Sequence, residues 1–142
     1  MIVVDASLAT KWLVAEVDQE AALQFLLRFR AEIAAPDLLL SEVSSAIVRR
    51  ANAREMAPSD AVGRIAEWLL LWRRGPFAKY RLTADSVAEA TRIALELGHP
   101  LADCLYLALA IELECELATC DAKFQAKASS AHPRVKLLSD FS

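Results

Sequence analysis

The chain has 142 residues, with 16 Lys and Arg against 19 Asp and Glu and a formal net charge of −3. That length suits a single domain, 1–142, able to close its core without disulfides or a structural metal. Hydrophobic residues at 56%, with only 3 Gly and 5 Pro, exclude disordered, collagen-like and low-complexity chains, and the acidic balance argues against a simple basic nucleic-acid coat protein.

Ile2 to Val4 is a continuous β-branched run, the pattern of a central parallel strand. A short helix is predicted around Ser7 to Val14. Ala22, Phe25, Leu26 and Phe29 then recur at helical spacing. Ile33 to Ala35 reads as a second strand closed by Pro36. Leu38 to about Arg54 reads as a helix with Leu39, Val43, Ala46 and Ile47 on one face. Pro58-Ser59-Asp60 opens another helix with a stripe of Val62, Ile65, Leu69 and Trp72, stopped by Gly75-Pro76. Ala78 to Leu82 is a predicted strand. Thr83 then caps a helix without Ser86 completing a capping box, and that helix turns Val87, Ala90, Ala94 and Leu97 inward before ending at Gly98. Leu101 to Leu113 is apolar on nearly every face, hence a buried helix. A strand at Glu116 to Thr119, a helix from Asp121 to about Ala128 and a strand at Arg134 to Leu138 complete the chain. Strands alternating with helices predict a three-layer α/β domain. Its central parallel sheet of about four to five strands is flanked by helices on both faces.

The start of the chain has no basic region before its apolar run and reaches an acid at Asp5, so it does not read as a signal peptide. Leu101 to Ile111 is too short to span a bilayer and carries Asp103. Cys104, Cys115 and Cys120 read as reduced thiols, and His99 and His132 are isolated from any Cys-x-x-Cys pair, which disfavours structural zinc. A cytoplasmic protein without a membrane role is expected.

Most of the 19 carboxylates suit solvated helix faces, but four have apolar surroundings. Asp5 and Asp121 end strands, Glu42 lies on the apolar stripe of its helix, and Asp103 opens the buried helix. Each has a plain structural alternative: Asp5 and Asp121 as helix N-caps, Asp103 as a charge suited to the helix dipole, Glu42 as partner of Arg49 or Arg50. Taken together, four acids without Lys, His or Cys in their motifs describe an all-oxygen site. Mg²⁺ or Mn²⁺ fits it best, and in-line displacement at phosphorus by an activated water is the chemistry it serves.

Four segments carry a resemblance. They are Val3-Val4-Asp5-Ala6-Ser7 with Lys11-Trp12; Pro36 before Leu38-Leu39-Leu40-Ser41-Glu42-Val43; Leu101-Ala102-Asp103-Cys104-Leu105-Tyr106-Leu107-Ala108-Leu109-Ala110; and Ala118-Thr119-Cys120-Asp121-Ala122-Lys123-Phe124. In this order the chain resembles the PIN-domain nucleases, and among them the VapC toxins of toxin–antitoxin pairs. The resemblance implies a Mg²⁺-dependent endoribonuclease with Asp5, Glu42, Asp103 and Asp121 as catalytic and metal-binding residues. Ser7 and Thr119 match hydroxyls beside the site. Cys104 departs from the Ala usual after the third acid. The resemblance also implies a homodimer, and a VapB-like antitoxin forming a heterotetramer or larger assembly.

Arg49, Arg50, Arg54, Arg73, Arg74, Lys79 and Arg81 read either as charges suited to helix C-termini or as a phosphate track for RNA. Trp68-Leu69-Leu70-Leu71-Trp72 is apolar all round. With Val62, Ile65, Leu69 and Trp72 inward, Trp68 and Leu71 would be left for a partner surface; the alternative is a helix sandwiched inside the domain. Trp12, Leu13, Phe25 and Leu26 could form a second such wall. Competing functions are a stand-alone RNA-processing PIN nuclease, a receiver-like module and a non-catalytic interaction module with the acids as caps. Asp5 lacks the acidic neighbour a receiver wants.

Overall fold

A computed structural model describes residues 1–141. The strands β1 (Ile2–Val4), β2 (Ile33–Pro36), β3 (Ala78–Tyr80), β4 (Glu116–Thr119) and β5 (Val135–Leu137) form one sheet of order β3-β2-β1-β4-β5. Every pairing is parallel, with Val3 opposite both Ala34 and Leu117. The β-branched run of β1 therefore lies in the centre, and it is buried throughout. Pro36 is the last residue of β2, paired with Tyr80 of the edge strand β3, rather than its terminator.

The helices are α1 (Ala6–Ala9), α2 (Gln19–Phe29), α3 (Leu38–Asn52), α4 (Pro58–Arg74), α5 (Ala84–Leu97), α6 (Leu101–Glu112) and α7 (Ala122–Ser129). The predicted first helix is thus a single α turn, continued by a 3₁₀ turn at Thr10–Trp12. Strand order advances from β1 to β3 in one direction, then jumps back across β1 to β4. Right-handed crossovers therefore put the helices between β1 and β3 on one face and those after β3 on the other. The apolar helix α6 packs on β1, β2 and β4 and is covered by α5, so Cys104 to Ala110 are buried without a break. This is the three-layer α/β arrangement expected from the alternation of elements.

Two helix readings are corrected. In α4 Ile65, Leu69 and Trp72 pack against the core as expected, but the most buried positions are Ala61 and Trp68: Trp68 is 0% exposed while Val62 is 71% exposed. The Trp68 indole N–H donates to the carbonyl of Leu40 at 3.0 Å, and its ring packs 5.7 Å from Trp72 and 6.5 Å from Trp12. A large ring with a polar edge gains more from that pocket than a valine does, so the helix rotates to bury it. Trp12 is core as well: it stacks 5.7 Å from Phe77 and donates to the carbonyl of Ala22, so it forms no outer wall. In α5, Ser86 does complete a capping box with Thr83, because its short hydroxyl accepts from the Thr83 amide at 2.9 Å.

Candidate active site

Strand order reverses at β1, between neighbours β2 and β4, and the carboxyl ends of β1 and β4 flank that switch point, where open α/β sheets form their binding crevice. Asp5 directly follows β1, and Asp121 comes two residues after the end of β4. Both are also helix N-caps. Asp5 Oδ1 accepts the Leu8 amide at 3.2 Å, and Asp121 Oδ1 accepts the Phe124 amide at 2.9 Å. The structural alternative and the site are therefore compatible. Each cap uses one carboxylate oxygen and leaves the other outside it.

Asp103 comes from the first turn of α6 and Glu42 from the second turn of α3. Glu42 is half-buried and forms no ion pair among the described residues. Arg50 instead binds Glu16, which also holds Lys11 at 3.4 Å. Burial, and then the charge of Asp103, push the Glu42 carboxyl above its ordinary range. Arg49 and the nearby Tyr106 hydroxyl offset this only in part. That hydroxyl is itself buried and falls short of a full hydrogen bond.

Asp5 is 2% exposed. Its carboxyl is pushed up to about 6, first by burial and in small part by Asp103, against the opposing pull of Thr119, Ser7 and the Leu8 amide. The Ser7 hydroxyl donates to Asp5 Oδ1 at 2.7 Å and accepts from the Cys120 amide at 2.9 Å. The Thr119 hydroxyl oxygen lies 3.2 Å from that of Ser7. Thr119 Oγ1 also accepts the Asp121 amide at 3.0 Å.

Among the described residues, one group brings ligand-type atoms within 4.8 Å of one another: His99, Asp103 and Asp121. Asp5 and Glu42 stay outside that group and connect to it through the charge of Asp103. A histidine also stands at this group: the His99 imidazole lies 2.5 Å from Asp103 Oδ2. The signal was the four-residue spacing of His99 and Asp103, obscured because Gly98 and Pro100 place a helix boundary between them.

Glu42 and Asp103 line one wall of a cleft of about 460 Å³ whose other lining residues include Ser7, Lys11, Arg49 and Arg50. An acidic centre is thus bordered by cations. Burial pushes the thiol of Cys104 up to about 11 and that of Cys120 to about 12, so neither offers a thiolate at neutral pH. The donor set fits a hard divalent cation. Two of its carboxyls, on Asp5 and Glu42, are raised by burial and by the charge of Asp103, and among the described residues no Lys or Arg neutralises the four acids by a direct ion pair.

The PIN domain family matches residues 2–129, so the chain belongs to the PIN-domain family. Three solved structures share the fold. A chain of a toxin–antitoxin complex from Klebsiella pneumoniae superposes with a TM-score of 0.70 at 17% identity, covering 97% of this chain and 98% of that one. VapC20 of Mycobacterium tuberculosis, a toxin that cleaves the sarcin–ricin loop, gives 0.70 at 18% identity, covering 89% and 94%. PAE2754 of Pyrobaculum aerophilum gives 0.72 at 19% identity, covering 99% and 85%. Among curated proteins none matches.

Proposed function

We propose that this PIN domain is a metal-dependent endoribonuclease and the toxin of a VapBC-type pair. The observation that carries the reading is the meeting of Asp103 with acids from three other elements. Its charge acts on Asp5 and Glu42, and its carboxylate lies beside Asp121. Asp5 and Asp103 would hold Mg²⁺ or Mn²⁺ most directly, with Glu42 and Asp121 completing the oxygen donors. When bound, the ion supplies an acidified water and positive charge against the phosphodiester.

The chain's own groups do the rest. The Ser7 and Thr119 hydroxyls hold Asp5 in its charged form against burial. Arg49 offers a phosphate contact along the cleft, beside Lys11 and Arg50, which Glu16 pairs. Neither the Cys104 nor the Cys120 thiol is charged at neutral pH, so direct attack by water suits the site better than a covalent intermediate.

The toxin role brings a VapB-like antitoxin, a homodimer and a cytoplasmic location into the proposal. Supporting it are the two toxin-related structures of the same fold and an apolar groove of about 490 Å³. That groove runs between α2 and α4, with Leu26, Leu27, Leu70, Leu71 and Phe77 in its lining. It keeps Leu71 and Leu26 of the expected surfaces, while Trp68 lies in the core. No single helix is long and apolar enough to cross a membrane.

The test is controlled expression in a bacterial host. Wild-type chain should halt growth and leave RNAs cut at defined positions, whereas Glu42→Gln at equal abundance should do neither. Unimpaired growth with intact RNA under wild-type expression contradicts the toxin reading.

A further inference from the structure

We infer that His99 is a positioning residue for Asp103, holding that carboxylate in place for the cation; this rests on the metal-site reading above. The His99 side chain is 7% exposed, against 31% for Asp103. Its Nε2 lies 2.5 Å from Asp103 Oδ2. An ionised carboxylate only accepts, so Nε2 carries the proton of that bond and Asp103 Oδ2 receives it. The second Asp103 oxygen is left for the cluster.

The imidazole is held from two directions, by Asp103 at its edge and by a second ring on its face. Its ring packs against Phe124 of α7, with centroids 4.7 Å apart and planes inclined by 31°. Phe124 is fully buried, and its amide is the donor that caps on Asp121. One ring thus links the third acid, by a hydrogen bond at its edge, to the anchor of the fourth acid, by its face.

The backbone around His99 is pinned too. Gly98 takes φ +60°, a left-handed conformation that suits glycine, and closes α5. The His99 amide bonds the carbonyl of Ala94 at 3.1 Å, and Lys127 of α7 donates to the carbonyl of Gly98 at 3.1 Å. Pro100 then starts α6, which sets Asp103 in its first turn. A histidine serving only as core filling would not need its polar edge on Asp103, whose carboxylate lies beside that of Asp121. Histidine–carboxylate pairs of this kind fix the direction of a metal-binding group.

The experiment compares wild type, His99→Leu and His99→Gln by calorimetric titration with Mn²⁺, alongside metal-free thermal melts and RNA cleavage. Leucine keeps the apolar packing and removes the donor; the glutamine amide can still donate to Asp103. Loss of such an outer partner typically weakens metal binding by about 10–100-fold. His99→Leu should show a loss of that size, and His99→Gln should recover most of it even if both variants melt lower than wild type. Wild-type affinity in His99→Leu overturns the inference. Equal loss in both variants overturns it too, since packing or direct ligation would then explain the effect. Wild-type protein that binds no Mn²⁺ overturns the metal-site reading itself, and with it the inference.

Discussion

The hydroxyl oxygens of Ser7 and Thr119 lie 3.2 Å apart across 112 positions of sequence, joining the ends of the two strands that carry Asp5 and Asp121. The Ser7 hydroxyl donates a hydrogen bond to Asp5, while Thr119 Oγ1 accepts one from the amide of Asp121. One short polar chain therefore runs between two of the four acids.

Removing that link should be visible in a pH profile. Ser7→Ala takes a donor from the charged form of Asp5, so the carboxyl should titrate above its present value of about 6. A hydrogen bond to a charged group contributes roughly 1.5–3 kcal/mol, which corresponds to about one to two pH units. The acidic limb of the cleavage profile should move upward by that amount, while activity at high pH is largely retained. An unmoved limb contradicts the assignment.

Asp5 also makes a stability prediction. Its folded carboxyl titrates at about 6 against an ordinary 3.8, so the folded state holds the proton more tightly than the unfolded state does. That contribution is complete below pH 3.8 and is lost as pH rises through about 6. Without divalent cations, Asp5→Asn should therefore gain on wild type between pH 4 and pH 7, by up to roughly 3 kcal/mol. Denaturant melts in chelator across that range check it, and a gap between the two proteins that stays constant contradicts it.

Glu42→Gln separates a site acid from a structural one. Had Glu42 been paired with a buried Arg, the change would cost about 3–5 kcal/mol. Arg50 is bound to Glu16 instead, and the Glu42 carboxyl is raised rather than stabilised. The variant should lose most cleavage activity yet melt within a few degrees of wild type at pH 8. A variant that unfolds readily and still cuts RNA contradicts this role.

Trp68 belongs to the core, so Trp68→Ala should cost about 3–5 kcal/mol, whereas a polar substitution at exposed Val62 should stay within about 0.5 kcal/mol. Paired denaturant melts decide this. Comparable losses at both positions contradict the rotation seen in α4.

The strands and most helices could be read directly, because continuous apolar runs and helical spacing reflect backbone periodicity. The rotation of α4 could not. Trp68 to Trp72 offers two overlapping apolar stripes, and only the pocket formed by Trp12, Trp72 and the Leu40 carbonyl chooses between them. The four acids stood out because each has apolar neighbours in sequence, at a strand end or on an apolar helix. His99 did not, because a histidine next to a helix start is unremarkable until tertiary packing sets Phe124 against its ring. Likewise Glu16 looks like any surface acid, and only the fold brings Lys11 and Arg50 to it.

The central claim is that Asp103 stands where a divalent cation and four carboxylates cut RNA. The measurement that tests it most directly is cleavage of defined RNA by purified wild type and Asp103→Asn, each with Mn²⁺ and with chelator. Metal-free melts of both proteins run alongside to show that each is folded. The account predicts cleavage by wild type only with Mn²⁺, and none above background by a folded Asp103→Asn. Cleavage by wild type in chelator, or wild-type rates from Asp103→Asn, contradicts it.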